Sequence, residues 1–217
     1  MGNSSFYSPE AVRPLYGEIA LAYQSAFAGE PWFEVSKCAD TRQRCTGGLS
    51  RVAVGSVCDM CGACPRLPAY EPAELIEGFE QLAASRPTAW YAEQTPGGVA
   101  LAALSWKAES GVIAKEKYSD TPAMDDWIQE TLGAQAVGWL DEVFANRVLR
   151  TSGNLRNFGA MCDGFMERLK TDTLAFRTIN ERMLAVSRRD FGERATVFEQ
   201  VIDVPDRRAF VVLKGRS

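Results

Sequence analysis

The strongest patterning in the chain lies between Ala136 and Asn180. Val137 to Asn146 is dense in β-branched and aromatic side chains, Phe158, Cys162, Phe165 and Leu169 recur at three- and four-residue steps, and Leu174 to Ile179 returns to a short apolar run. Side chains alternate across a strand but return to one face of a helix every three or four residues. The three segments therefore read as a strand, a helix of about four turns and a strand. The loop of this β-loop-α-β unit, Arg150-Thr151-Ser152-Gly153-Asn154-Leu155, sets a cation and a permissive glycine where the unpaired N–H groups of a helix start face outward. Such a turn suits an anion.

The flanking pattern predicts further elements. From Ser8 to Phe27 the residues Val12, Leu15, Tyr16, Ile19, Ala20, Tyr23 and Phe27 keep helical spacing. With Ser8 to cap and Pro9 in the first turn, this is one amphipathic helix ending at Gly29. The loop Glu30 to Glu34 carries two aromatics and two carboxylates, and is either a turn packed on the helix or the rim of a cleft. Glu71 to Ala84 is a second helix through Leu75, Ile76, Phe79 and Leu82, and Thr88 to Glu93 with Val99 to Ala108 form a hairpin across Thr-Pro-Gly-Gly. Ala114 to Leu132 reads as an irregular loop followed by a short helix starting near Pro122. Asn180 to Arg189 is a helix that Asn180 can cap. Ala195 to Val204 and Arg208 to Leu213 close the chain as an antiparallel pair joined through Pro205-Asp206.

One segment does not fit either period. Cys38 to Cys64 holds five of the six cysteines in 27 residues, and Pro65 to Tyr70 follows as a proline-bearing linker. Cys58-Asp-Met-Cys61 has the two-residue gap that lets two thiolates converge on one ion, and Cys38 and Cys45 can supply the opposite half. Structural zinc held by four cysteines is the natural inference. Spacing does not decide which four of Cys38, Cys45, Cys58, Cys61 and Cys64 bind; the first four are favoured, with Cys64 as a substitute for either early cysteine. A disulfide cluster, an iron–sulfur cluster and a redox-active Cys-x-x-Cys are the rivals.

Composition narrows the functions. A chain of 217 residues that is 46% hydrophobic can bury a full core. It contains no apolar run of 18 residues, and its start lacks a basic and an apolar segment, so the expectation is a cytoplasmic protein with no membrane partner. A net charge of -4 without a basic block argues against nucleic acid. The chain has no histidine, which rules out Ser-His-Asp and Cys-His catalysis and histidine-ligated metals. Acid–base chemistry must fall to carboxylates, tyrosines, thiols or water.

The order helix, helix, hairpin, strand, Arg-x-x-Gly loop, helix, strand, Asn-led helix, terminal strands resembles the GNAT N-acetyltransferase superfamily. In that family a Gln/Arg-x-x-Gly-x-Gly/Ala turn binds the pyrophosphate of acetyl-CoA. This chain matches it at Arg150 and Gly153, and carries Leu155 where a small residue is usual. Phe27-Ala28-Gly29-Glu30-Pro31-Trp32-Phe33-Glu34 is similar to a turn between the first helices of some members. The resemblance implies a single α+β domain over 1–217 with a mixed, mostly antiparallel central sheet flanked by helices; the cysteine-rich segment, read above as zinc-binding from its spacing, is then an insertion at 36–68. It implies acetyl-CoA contacts at Phe144, Ala145, Asn146, Arg150, Ser152, Gly153, Asn154, Leu155, Arg156 and Asn180. The acceptor would be a small-molecule or peptide amine, and a homodimer is compatible. On the central strand Glu142 is the candidate base, with Asp141 on the opposite face by alternation. The family's tyrosine acid falls near Ser187, so Tyr118, Tyr91 or solvent would protonate the leaving thiolate. Cys162, inside the apolar helix face, reads as a core residue rather than a nucleophile. The competing class is a non-catalytic acyl-CoA-binding or protein-interaction module with the same zinc site.

Overall fold

The structure, a computed structural model, describes residues 3–30, 32–40, 45, 48–118, 123–149, 156–199 and 208–216. β1 (Asn3–Tyr7), which the sequence pattern does not reveal, leads into α1 (Pro9–Val12), a 3-10 turn (Arg13–Leu15) and α2 (Tyr16–Phe27). The single helix expected from Ser8 to Phe27 is thus interrupted. Pro14 is the cause, because it lacks an N–H and its ring crowds the carbonyl four residues back. Ser8 does cap α1, its hydroxyl accepting from the Ala11 N–H at 3.3 Å.

The chain continues through β2 (Ser36–Cys38), β3 (Arg66–Pro68), α3 (Pro72–Ser85), β4 (Thr88–Thr95), β5 (Gly98–Ala108), α4 (Ser110–Lys117) and α5 (Ala123–Leu132). It ends with β6 (Val137–Ala145), α6 (Phe158–Leu169), β7 (Thr173–Thr178), α7 (Glu181–Phe191), a 3-10 turn (Gly192–Arg194), β8 (Ala195–Phe198) and β9 (Ala209–Lys214). Two expectations need correction. The supposed linker from Pro65 to Tyr70 contains β3. Part of the irregular stretch after Ala114 belongs to α4, which buries only Ser110, Ile113 and Ala114 and so shows no broad apolar stripe in its sequence.

Seven strands form one sheet in the order β1-β4-β5-β6-β7-β9-β8, and β2 with β3 forms a separate two-stranded ribbon. Every pair in the main sheet is antiparallel except β6 with β7. Helices α6 and α7 cover one face, where Phe158, Phe165 and Leu169 pack on Leu140, Leu174 and Phe176. On the other face α2 and α3 bury Tyr16, Ile19 and Phe79 against Trp90 and Leu104, and α4 and α5 bury Ile113 and Ile128 with Trp106 and Trp139. The β1–α6 seam needs a glycine: a Cβ on Gly164 would lie 2.3 Å from the Phe6 ring, which stacks edge-on against Phe165.

Two irregularities in β6 open the centre of the sheet. Its pairing with β5 passes from Ser105↔Leu140 directly to Leu104↔Glu142, leaving Asp141 as an extra residue, a β-bulge. Its pairing with β7 is confined to Gly138↔Leu174 and Trp139↔Ala175. Beyond Trp139 the two parallel strands part.

Candidate functional site

The wedge between the parting strands is a cavity of about 280 Å³. Leu140, Asp141, Glu142 and Val143 of β6 form one wall and Phe176, Arg177 and Thr178 of β7 the other, while Tyr23 and Phe27 of α2, Trp32, Glu34 and Tyr70 close it from the side of the insertion. Trp139 of β6, Lys117, Asn180, Met183 and Arg208 complete the lining.

The bulge decides which carboxylates reach this space. Period-two alternation predicts that Asp141 and Glu142 point to opposite faces, but the extra residue resets the period, and both side chains line the cavity. Glu142 thereby comes to the α2 side of the sheet, where the Tyr23 hydroxyl donates to its Oε1 at 3.3 Å. Asp141 accepts from Trp139 Nε1 at 3.1 Å and is ion-paired with Lys117.

Electrostatics follow from this enclosure. Burial, reinforced by the neighbouring Asp141, pushes the Glu142 carboxyl up to about 8, against the opposing pull of Lys117 and the Tyr23 hydroxyl. Burial also drives the Tyr23 phenol far above its ordinary value, with Glu142 adding to the shift, so Tyr23 keeps its proton and acts as a donor. The Tyr70 hydroxyl donates to Glu34 Oε2, and burial and that carboxylate raise its pKa strongly as well. Tyr23 stacks on Phe27 at 4.4 Å and meets Tyr70 edge-on at 4.9 Å. Glu142, Tyr23, Tyr70 and Glu34 are thus one contiguous polar and aromatic lining.

Of the residues expected to act, Glu142 and Asn180 line the cavity. Asn180 also caps α7, its Oδ1 accepting from Arg182 N–H at 3.0 Å. Tyr118 lies instead in the core beneath α4 and α5, with the Arg177 guanidinium 4.9 Å over its ring. Tyr91 is buried on the α6 face and donates to Glu93 at 3.0 Å. Ser187 is fully buried, its hydroxyl turned back to the Met183 carbonyl at 2.7 Å. Phe144 is buried against Tyr23, and Ala145 packs on the α6 face. Asn146 Oδ1 accepts from Val148 N–H at 3.0 Å. Arg156 is exposed just before α6, whose first turn has already committed the Gly159 N–H to Asp190 Oδ2 at 3.0 Å. Arg150, Ser152, Gly153, Asn154 and Leu155 lie outside the described residues.

The Glu30–Glu34 loop, one reading of which is a cleft rim, does bring Trp32 and Glu34 to the cavity, whereas sequence reasoning missed Tyr23, Tyr70 and Lys117. Tyr23 keeps the apolar spacing of α2 and so reads as core. The available signal was its hydroxyl, which has to find a partner within an otherwise apolar stripe.

The cysteines form a second site. The sulfurs of Cys38, Cys45, Cys58 and Cys61 lie within 4.8 Å of one another, with Cys38···Cys61 at 3.8 Å and Cys45···Cys58 at 3.5 Å. Four sulfurs each about 2.3 Å from a tetrahedral zinc would stand roughly 3.8 Å apart, whereas a disulfide requires about 2.05 Å. The set fits zinc. Backbone N–H groups from Ala63 and Cys64 lower the Cys61 thiol to about 6, and those of Cys61 and Met60 lower Cys58, which favours the thiolate at these two positions; at Cys38 the pull of the Asp40 N–H is outweighed by burial and by the Cys58 and Cys61 sulfurs, and the thiol is raised. Cys64 stands outside this group, its N–H pointing to Cys61 Sγ at 3.5 Å. Arg66, 1% exposed, spans the cluster and the ribbon, donating to Cys58 Sγ, Asp59, Ser36 Oγ, the Ser36 carbonyl and the Gly48 carbonyl.

No protein-family model matches the sequence, and no curated protein matches it either. Solved structures do. Arylalkylamine N-acetyltransferase 2 from Aedes aegypti superposes with a TM-score of 0.53 at 8% identity, over 99% of this chain and 100% of that one. The histone acetyltransferase HPA2 and related acetyltransferase from Corynebacterium glutamicum gives 0.50 at 12% identity, over 100% and 98%. PH1933 from Pyrococcus horikoshii OT3 gives 0.50 at 8%, over 99% and 100%. The chain has the GNAT fold. Its mixed, mostly antiparallel sheet flanked by helices is the arrangement expected from sequence, with the cysteine cluster set beside it. At such low identity the likeness is one of fold alone. The wedge between β6 and β7, with Glu142 on its wall, is the feature of this GNAT fold on which a functional reading can be built.

Proposed function

We propose that the protein transfers an acetyl group from acetyl-CoA to an amine bound in the wedge, by direct attack in a ternary complex. The observation that carries this reading is the placement of Glu142. The Asp141 bulge directs it into the cavity where β6 leaves β7, and burial raises its carboxyl to about 8. A base of that strength can take a proton from an ammonium near neutral pH. The free amine attacks the thioester carbonyl, its C–N bond forms, the C–S bond breaks, and the proton that the nitrogen sheds passes through solvent to the departing thiolate of coenzyme A. Beyond Trp139, the edge of β6 that faces β7 has lost its strand partner, which supports binding of the pantetheine amides and stabilisation of the oxyanion by backbone N–H groups. Phe144 and Ala145 would contribute backbone there, whereas the Asn146 N–H is already given to the Ala100 carbonyl at 2.9 Å; Arg156 and the 150–155 loop would hold the pyrophosphate.

The acceptor is a compact cationic amine, either a small molecule or an amine of a peptide. Three carboxylates, Glu34, Asp141 and Glu142, share the lining with Tyr23, Phe27, Trp32 and Tyr70, and the space holds little more than one short chain. Asp141 is paired with Lys117, and Arg177 and Arg208 line the β7 side, so the cation would sit against the aromatic wall, where Glu34 and Glu142 lie beside Tyr23 and Tyr70. Cys38, Cys45, Cys58 and Cys61 would hold a structural zinc, because four thiolates leave no open position for water.

One observation favours a second reading, a module that binds acyl-CoA without turnover: Ser187 offers no acid to the cavity. Calorimetry with acetyl-CoA followed by a thiol-release assay over a panel of amines separates the two. Binding with release of coenzyme A supports the transferase, and binding without release across the panel supports the module. Absence of binding at millimolar acetyl-CoA overturns both.

A further inference from the structure

We propose that the cysteine cluster, by holding zinc, positions the acceptor wall of the wedge. The β2–β3 ribbon is the mechanical link. At one end the register pairs Cys38 with Arg66; toward the other the Ala69 N–H donates to the Val35 carbonyl at 3.1 Å, and the next residues out are Glu34 and Tyr70, joined by the Tyr70 hydroxyl. Cys38 and Glu34 are four steps apart along the chain, about 13 Å at roughly 3.3 Å per residue. This proposal rests on the reading of the wedge as an amine site.

A two-stranded ribbon outside the main sheet is marginal by itself. Among its described residues the insertion supplies no apolar core to hold it: Leu49, Val54, Val57, Met60 and Leu67 are exposed, and the buried groups are Ser36, Cys38, Cys58 and Arg66. Its stability must come from the cluster, as in small metal-folded domains. Arg66 carries that order into β2, because one guanidinium binds Cys58 Sγ and both the hydroxyl and the carbonyl of Ser36. At the far end the Tyr70 carbonyl accepts from Gln24 of α2, and the Tyr70 ring meets Tyr23, whose hydroxyl reaches Glu142. Loosening the cluster therefore loosens Glu34 and Tyr70 first, and leaves β5, β6 and α6 in place. The consequence is kinetic: amine binding weakens while acetyl-CoA binding persists.

The test compares the full chain loaded with zinc and stripped by EDTA. Hydrogen exchange should quicken at least tenfold in peptides covering 34–38 and 66–70 and stay within twofold in 158–169. With 1,4-diaminobutane as the amine probe, KM should rise at least tenfold while kcat and the acetyl-CoA Kd change less than threefold. Cys45→Ser should lose the ion and behave like the stripped protein, and Cys45→His, which restores a closed zinc set, should return the slow exchange. Failure of the purified chain to take up one zinc, unchanged exchange at 34–38 and 66–70 after stripping, or equal acceleration at 158–169 would each overturn the proposal. Intact exchange behaviour with no transfer to any amine would leave the clamp standing and overturn the acetyl-transfer reading instead.

Discussion

At the scale of single residues, Glu142 sets the pH dependence. A base must be unprotonated to work, so kcat/KM should climb about tenfold per pH unit and level off above about pH 8, where this carboxyl titrates. Glu142→Gln should erase that limb and lower kcat/KM by about 10²–10³-fold, measured across pH 6 to 10. Stability moves in the opposite sense. The pKa is higher in the fold than in the unfolded chain, so the folded protein holds a proton that the unfolded one releases. This group's contribution is full below about pH 4.5 and is lost as pH rises through about 8, and the glutamine variant should flatten that decline in a melting series. Tyr23→Phe keeps the ring contacts with Phe27, Tyr70 and Phe144 but deletes the hydrogen bond that favours the Glu142 carboxylate. Its limb should therefore shift to higher pH, with a melting temperature close to that of the parent. An unshifted limb would mean that the Tyr23 hydroxyl does not tune the base.

At the scale of elements, the bulge is the device that makes the site. Asp141 has no partner on β5, so its deletion keeps Leu104↔Glu142 and Ser105↔Leu140 and removes only the local bend. A folded deletion variant with acetyl-CoA affinity reduced more than tenfold is expected, because a straighter β6 could extend its pairing with β7 and close the wedge. Unchanged affinity would show that the strands part for another reason. This same residue marks the limit of sequence reading. The strands at 137–145 and 173–178, the helix between them, the hairpin at 88–108 and the Asn180 cap were legible because period and turn chemistry act locally. A bulge is fixed by a neighbouring strand, so alternation assigned Asp141 to the wrong wall. The two-residue gap between Cys58 and Cys61 signalled a thiolate site while leaving open which four of the five cysteines converge, and nothing in the local pattern of Arg66 signals a buried guanidinium. β1 was hidden for a related reason: Asn-Ser-Ser-Phe-Tyr becomes a strand through its ladder with β4, from Asn3↔Gln94 to Tyr7↔Trp90.

At the scale of the whole molecule, the sheet consists of two antiparallel halves, β1-β4-β5-β6 and β7-β9-β8, joined in register at only two residue pairs. Core packing on both faces bridges this seam, through Leu140 with Leu174 and Phe176 beneath α6, and through Trp139 with Ala175 and Phe210 beneath α5. The wedge nevertheless leaves the outer part of the seam without strand pairing. A substrate lying along β6 in that gap would add contacts to both halves, and it would bind the folded chain without binding the unfolded one. By mass action, acetyl-CoA at about 100 times its Kd adds about 2.7 kcal/mol, which for a domain of this size is a rise of roughly 5–10 °C in Tm. Zinc-stripped protein should show a lower starting Tm and the same increment, because the ribbon links the cluster to the acceptor wall and not to the β6 edge. A thermal-shift titration of both forms reads the two quantities together: equal increments assign acetyl-CoA to the seam, and an increment lost with the metal would place the cofactor against the insertion.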